Sequence, residues 1–208
     1  MSLRSYLSAA FDWRGTSGRG ELAAAIVVLG GALWAAETLP ELSLEGKTAV
    51  VTGGGRGIGR EIALAFAEAG ADVVVAARTS SEIEATAADI RSMGREAVAL
   101  PTDVSKSDEV DSLAERALEH FGKVDVLVNN AGKLMRLPVV PFADNTVNPP
   151  RVTRASTSRM TDEEWQSVLN PNLNGVFYCC RAVAPYMMER TYGKIINISS
   201  NNAKQAFP

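Results

Sequence analysis

Short apolar segments alternate with amphipathic ones along residues 44–208, and this alternation restricts the possible fold more than any other feature. The first segment, KTAVVT at 47–52, is apolar and β-branched, as expected of a buried strand. Similar segments follow at 72–77, 96–100, 124–128 and 194–198. Strands that alternate with helices form right-handed βαβ units. We therefore predict an α/β fold with a doubly wound parallel sheet.

The segments between these strands carry helix-end signals. Helices are predicted at 61–69, from Ser81 to Met93, from Ser107 to Gly122 and from Thr161 toward Tyr186. The pairs Ser81–Glu84 and Thr161–Glu164 match the capping box, in which a hydroxyl and a carboxylate satisfy each other's backbone donors. Pro171 lies inside the last helix and predicts a kink there.

A glycine-rich segment, TGGGRGIG from Thr52 to Gly59, lies between the first strand and the first helix. Unpaired N–H groups at a helix N-terminus attract phosphate, and glycine lets the phosphate approach the backbone. No Gly-Lys-Ser/Thr follows, so this is not a Walker loop. NNAG at 129–132 and Asp103–Val104 follow other strands and reach the same carboxyl edge of the sheet, where ligands bind. The sequence thus predicts a dinucleotide site at that edge.

Together these segments resemble the short-chain dehydrogenase/reductase family. TGGGRGIG, Asp103–Val104, NNAG, WQSVLNPNLNGVF and GKIINISS occur in the family's order and at about its spacing. The resemblance implies a Rossmann fold and hydride transfer between a nicotinamide cofactor and an alcohol or ketone. The cofactor-binding residues predicted from the motifs and the resemblance are Thr52, Gly53, Arg56, Gly57, Ile58, Gly59, Arg78, Asp103, Val104, Asn130, Ala131, Gly132 and Ile198. The resemblance also implies that Asp103 contacts the adenine.

The resemblance implies two active-site residues, Asn172 and Ser200. The family's asparagine maintains a helix kink and holds a water, and its serine orients the substrate carbonyl. The family's general acid/base is a tyrosine about 13 residues after the serine, followed four residues later by a lysine that lowers the tyrosine pKa. Residues 1–208 contain no Tyr-x-x-x-Lys. We therefore expect a C-terminally incomplete domain that is inactive as given, with its fifth strand at an exposed edge and homo-oligomers only in a full-length form.

The choice of nicotinamide cofactor rests on the end of the second strand. Ala77 occupies the position where an NAD site usually carries an acid that binds the ribose. Arg78 follows it, and Arg56 lies in the glycine-rich segment. Two guanidinium groups favour a 2′-phosphate through charge-assisted hydrogen bonds, so NADP(H) is expected over NAD.

Composition excludes several other functions. The net charge of −3 does not indicate a nucleic-acid partner, and the single histidine, His120, does not indicate a metal site. Cys179 and Cys180 are adjacent, which excludes a disulfide framework and fits the cytoplasm. A non-catalytic dinucleotide-binding or truncated protein is the alternative to an enzyme. A methyltransferase on a related fold is disfavoured because NNAG and INISS have no role there.

Two segments fall outside the predicted domain core. Residues 1–43 form an N-terminal extension whose segment 22–36 is uncharged but shorter than the roughly 20 residues that span a bilayer. It is interpreted as a weak membrane anchor, a targeting peptide or a helix packed on the domain, which occupies 44–208. The proline-containing stretch 133–160 is predicted to be a loop insertion, favoured as a solvated surface over a binding site for an anionic partner.

Overall fold

The computed structural model describes residues 43–134 and 160–200. The apolar segment 22–36 and the interior of the predicted loop, 135–159, lie outside these residues. The elements in chain order are β1 Thr48–Thr52, α1 Gly57–Glu68, β2 Asp72–Ala77, α2 Ser80–Ser92, β3 Ala97–Pro101, α3 Ser107–Phe121, β4 Val126–Asn129, α4 Asp162–Leu169, a π-helical segment Asn170–Asn174, α5 Gly175–Glu189 and β5 Lys194–Asn197.

The five strands form one parallel sheet in the order β3-β2-β1-β4-β5. The chain proceeds from β1 outward to β3 and then returns to the other side of β1 at β4. This reversal makes a switch point between β1 and β4, where parallel α/β sheets bind ligands. The predicted doubly wound α/β fold is confirmed.

Both faces of the sheet are covered by helices. On one face Ile62 and Phe66 of α1 pack with Ile83 of α2 against the strands. On the other face Leu113 of α3 and Val183 of α5 belong to a second core cluster. Burial on both faces explains why β2 reads as a continuous apolar segment rather than as an alternating one.

Helix starts were predicted with mixed success. The Thr161–Glu164 capping box is confirmed, because Glu164 N–H donates to Thr161 Oγ1 at 3.1 Å and Thr161 N–H donates to Glu164 Oε2 at 2.9 Å. The Ser81–Glu84 capping box is wrong: α2 begins at Ser80, and Thr79 precedes it without a side-chain cap. Glu84 instead pairs with Arg91 at 2.7 Å.

The long helix predicted from Thr161 toward Tyr186 is broken into α4, a π-helical segment and α5. Pro171 lies at the start of the π-helical segment, so the predicted kink is a widened turn. The first helix begins at Gly57, four residues before its predicted start at Glu61, so the end of the glycine-rich segment is helical.

The sheet edge at β5 is exposed in the described part of the chain. There β5 pairs with β4 alone, and Ile195 is 40% exposed. Among the described residues no helix combines the length and the apolar composition needed to cross a bilayer.

Candidate functional site

The glycine-rich turn joins β1 to α1 and packs against the loop after β4. Gly53 has a φ of +67°, in the left-handed region that glycine adopts without strain. A Cβ on Gly53 would lie 2.9 Å from Asn130 Nδ2 and 3.0 Å from Ala131 Cα. The turn therefore needs glycine both for its backbone conformation and for the close approach of the NNAG segment.

Thr52 and Asn130 tie the ends of β1 and β4 together. Thr52 Oγ1 donates to Val128 O at 3.1 Å and accepts from the N–H groups of Asn130 and Ala131, each at 3.1 Å. Asn130 Nδ2 donates back to Thr52 O at 3.0 Å and to Gly53 O at 3.3 Å. Thr52 is buried, so the structure places it beneath the predicted nucleotide site, where it positions the loop.

A polar cavity of about 380 Å³ opens at this carboxyl edge. It is lined by Gly53, Gly55, Arg56, Ala77, Arg78, Thr79, Glu82, Thr102, Asp103, Val104, Ser105, Asn130, Ala131, Gly132, Lys133, Ser167, Asn170 and Pro171. Eight of the predicted cofactor-binding residues are therefore brought together: Gly53, Arg56, Arg78, Asp103, Val104, Asn130, Ala131 and Gly132. The glycine turn, the two arginines and the polar walls fit a dinucleotide with phosphate groups.

The remaining predicted residues do not line the cavity. These are Thr52, Gly57, Ile58, Gly59, Asn172, Ile198 and Ser200. Gly59 is buried, where a Cβ would collide with Gly53 O, and Ile58 is 61% exposed on α1. Ile198 N–H donates to Asn129 O at 2.9 Å just past β5, and Ser200 is exposed two residues further on. Their assignment to the site stays a prediction.

The arginines predicted to select the 2′-phosphate are exposed. The Arg56 side chain is 83% exposed, and its Nε lies 3.9 Å from Glu82 Oε2. Arg78 is exposed at the end of β2. Glu82 was missed by the sequence reasoning. The available signal was its position in the first turn of the helix that follows β2.

Asp103 is held ionised beside these cations. Burial raises the pKa of this carboxyl, but two hydrogen bonds from Ser105 and the charge of Arg78 outweigh burial and lower the pKa below its ordinary value. Asp103 Oδ1 accepts from Ser105 Oγ at 2.7 Å and from Ser105 N–H at 3.0 Å. A fixed carboxylate at this position can accept hydrogen bonds from a ligand's amino group.

Asn172 connects the π-helical segment to the loop after β4. Its Oδ1 accepts from Lys133 N–H at 2.9 Å, and its Nδ2 donates to Lys133 O at 2.7 Å. A Cβ on Gly132 would lie 2.7 Å from Asn172 Oδ1, so the NNAG glycine makes room for this contact. Asn172 thus fixes the backbone of the cavity wall.

A parallel sheet with a glycine turn and a polar cavity at its switch point defines a nucleotide-binding protein of the Rossmann class. The family model for short chain dehydrogenases matches residues 47–208. The chain belongs to the short-chain dehydrogenase/reductase family of oxidoreductases.

Similar proteins include 3-oxoacyl-[acyl-carrier-protein] reductases. The one from Synechocystis sp. is 41% identical over 160 residues, which cover 76% of this chain and 57% of that protein. The one from Staphylococcus epidermidis is 40% identical over 155 residues, which cover 74% of this chain and 56% of that protein. The chain therefore spans little more than half the length of these curated relatives.

Solved structures of the same family share the fold. A putative short-chain alcohol dehydrogenase from Sinorhizobium meliloti matches with a TM-score of 0.67 and 36% identity, covering 80% of this chain and 59% of that one. A 7α-hydroxysteroid dehydrogenase complexed with NADH and 7-oxo glycochenodeoxycholic acid matches with a TM-score of 0.67 and 33% identity, covering 79% and 57%.

Proposed function

We propose that this chain provides the cofactor site of an NADP(H)-dependent oxidoreductase that transfers hydride between nicotinamide and an alcohol or ketone. The observation that carries the proposal is the cavity of about 380 Å³ that joins the glycine turn to Arg56 and Arg78. When bound, the nicotinamide supplies or accepts the hydride.

The preference for NADP(H) rests on the charges around the end of β2. Ala77 leaves the ribose position without the carboxylate that binds a 2′-hydroxyl in an NAD site. Arg78 and Arg56 line the cavity beside it and can form charge-assisted bonds to a phosphate. Glu82 opposes this preference, because it lies 3.9 Å from Arg56 and offsets part of its charge. Arg78 is therefore the residue on which selectivity chiefly depends.

The substrate class is an alcohol or its ketone, without a narrower choice. The similar proteins are named as a 3-oxoacyl-[acyl-carrier-protein] reductase, a short-chain alcohol dehydrogenase and a hydroxysteroid dehydrogenase. Each of these names refers to an oxo, alcohol or hydroxyl group, but the molecules that carry the group differ in size. Ser200 is proposed to orient that carbonyl, and Asn172 to hold the wall of the site.

Apolar side chains exposed on α4, the π-helical segment and α5 support a homo-oligomer, and the burial of Cys179 supports a packing role for its thiol. Trp165, Leu173 and Phe177 are 48%, 61% and 57% exposed and would be covered in a homo-oligomer. Burial raises the pKa of Cys179 to about 12, so this thiol is a packing group rather than a reactive one. Weak membrane association through 22–36 stays an expectation.

The proposal is tested by measuring the binding of NADPH and NADH to the 208-residue chain. Binding is measured instead of turnover, because no tyrosine in this chain has a lysine four residues further on. Titrations followed by cofactor fluorescence should give about tenfold tighter binding of NADPH. The double variant A77D/R78L should reverse this order. Arg116→Leu, which removes an exposed charge from α3, should not reverse it. Equal affinities for the two cofactors in wild type and double variant would contradict the assignment.

A further inference from the structure

Among the residues that the structure describes, Lys133 is the lysine that lines the cavity, and both its backbone and its side chain are hydrogen-bonded. Asn172 holds its main-chain N–H and C=O. Its Nζ donates to Ser167 Oγ at 2.8 Å, and Ser167 Oγ donates to Glu164 O at 2.7 Å. An ammonium group has three donors, and Ser167 takes one of them in the described part of the chain. The arrangement orients a cation toward the cavity with donors left for a ligand.

The order of the strands places Lys133 and Arg78 on opposite sides of the glycine turn. Arg78 follows β2, the turn follows β1, and Lys133 follows the NNAG segment after β4. Neighbouring strands are about 4.8 Å apart, so the ends of β2 and β4 are separated by roughly 10 Å. A dinucleotide that places its diphosphate over the turn can therefore meet a cation on each side.

The two cations differ in their surroundings. The described part of the cavity wall contains two acids: Glu82 lies beside Arg56, and Asp103 has a pKa lowered in part by Arg78. Within the described residues, the ammonium of Lys133 contacts a neutral hydroxyl. The charge of Lys133 is therefore less offset than that of the arginines and is more available to an anionic ligand.

We infer that Lys133 is a further cofactor-binding residue, which donates from Nζ to the diphosphate of the dinucleotide while Arg78 binds the 2′-phosphate. Ser167 is a positioning residue that holds Nζ on the cavity side. The inference deepens the proposed function and rests on it. It places the diphosphate over the glycine turn, where Lys133 reaches it from the β4 side, and the 2′-phosphate on the β2 side, where Arg78 binds it.

Two small ligands distinguish the contact proposed for Lys133 from the contact proposed for Arg78. ADP has a 5′-diphosphate but no 2′-phosphate, and 2′-AMP has a 2′-phosphate but no 5′-diphosphate. Isothermal titration of the 208-residue chain should show that Lys133→Met weakens ADP about tenfold and changes 2′-AMP less than about twofold. Arg78→Leu should show the opposite pattern. Lys133→Arg should restore most of the ADP affinity, and Lys194→Met, an exposed lysine at the amino end of β5, should match wild type.

The salt dependence gives a readout that a purely structural role would not move. The loss of ADP affinity between low and moderate NaCl should be smaller in Lys133→Met than in wild type, since one charge contact is missing. Thermal unfolding of each variant checks that the fold is retained. Ser167→Ala should weaken ADP about threefold, since it frees the ammonium without removing it.

The outcomes distinguish this inference from the proposed function. If wild type binds both ligands and Arg78→Leu loses only 2′-AMP, while Lys133→Met equals wild type, the inference is wrong and the proposed function stands. Equal weakening of both ligands by Lys133→Met would also overturn the inference. If wild type binds neither ADP, 2′-AMP nor NADPH, the proposed function fails, and the inference fails with it.

Discussion

Charged groups are arranged differently at the two ends of the parallel strands, here called the amino edge and the carboxyl edge of the sheet. At the amino edge charged groups pair with one another: Asp125 accepts from Arg190 Nη2 at 2.7 Å, and Arg95 Nη1 donates to Glu45 Oε1 at 2.9 Å. At the carboxyl edge Arg78 and Lys133 face a cavity. The difference indicates that the amino edge stabilises the fold, while the carboxyl edge keeps cations available for a ligand.

Asp125 shows how complete the pairing at the amino edge is. Its side chain is fully buried, and Thr48 N–H donates to its Oδ2 at 3.0 Å while Arg190 binds its Oδ1. One carboxylate thereby joins the start of β1, the segment before β4 and the residue after α5. A buried carboxylate is tolerated because it is paired and hydrogen-bonded.

The largest effect is expected at the carboxyl edge, from a glycine that does not line the cavity. In Gly59→Ala the new Cβ would collide with the backbone of Gly53 and with Asn130, neither of which can move without opening the turn. We expect a loss of about 3 kcal/mol in unfolding free energy and more than tenfold weaker NADPH binding. Urea unfolding and fluorescence titration measure the two quantities.

Gly57→Ala is the matched control for that substitution. A Cβ on Gly57 meets nothing within 4 Å, but its φ of +54° is strained for alanine. The expected cost is about 1 kcal/mol in unfolding free energy. The control concerns stability alone, because Gly57 is itself a predicted cofactor-binding residue and its side chain should also weaken NADPH binding. An equal loss in both variants would show that backbone conformation, rather than the close approach of the NNAG segment, decides the glycine requirement.

The second-largest loss of stability is expected at the amino edge, and it should not change cofactor affinity. Asp125→Asn removes the charge that Arg190 and Thr48 N–H bind and should cost about 2 kcal/mol in unfolding free energy. NADPH affinity should stay within twofold of wild type, because the residue lies at the opposite end of β4. Asp111→Asn, on the exposed face of α3, is the control. A tenfold loss of NADPH affinity would break the proposed division between the edges.

The same variant should change the pH dependence of stability. Burial raises the pKa of Asp125, but hydrogen bonds from Arg190 and Thr48 and the charge of Lys123 outweigh burial and lower it below its ordinary value. The stabilisation is therefore fully present above the ordinary carboxyl pKa and is lost as the pH falls through the lowered pKa. Wild type should lose stability in that acid range more steeply than Asp125→Asn.

The smallest effect is expected for Thr52, which belongs to the carboxyl edge but is paired internally. Thr52→Val removes the hydroxyl that joins β1 to the NNAG segment and should cost about 1 kcal/mol, with NADPH affinity lowered about threefold. Thr52→Ser keeps the hydroxyl and should retain the affinity. If valine lowers stability without changing affinity, the hydroxyl does not position the cavity wall.

The sequence predicted those parts of the fold that follow from local backbone physics. The bounds of β2 at Asp72–Ala77 were predicted correctly, and the end of α3 was predicted to within one residue: the helix ends at Phe121, and the predicted Gly122 is its left-handed C-cap. The start of α2 was not predicted correctly. Thr79–Glu82 and Ser81–Glu84 fit the same capping pattern, and the contact of Glu84 with Arg91 is invisible in the pattern.

The candidate site could be predicted only where motifs determine the backbone. The glycine turn and the NNAG segment meet because parallel strands place their carboxyl ends together. Glu82 and Ser167 could not be found in that way, since their presence in the cavity wall depends on which face of a helix turns toward the sheet. That orientation is set by tertiary packing. The sequence places Lys133 in the predicted loop insertion 133–160, for which a solvated surface is favoured over a binding site for an anionic partner.

The π-helical segment has a consequence for the rotational phase of the helix that follows it. A single extra residue within a helix turns everything after it by about 100°. Cys179, Val183 and Met187, four residues apart, bury one face of α5 against the sheet, while Asn172, seven residues before Cys179, binds Lys133 in the cavity wall. In a regular α-helix, residues seven positions apart lie on nearly the same face, so Asn172 would share the face of Cys179. The π-helical segment changes this rotation between α4 and α5. The Asn172 side chain can therefore bind the cavity wall while the buried face of α5 packs against the sheet.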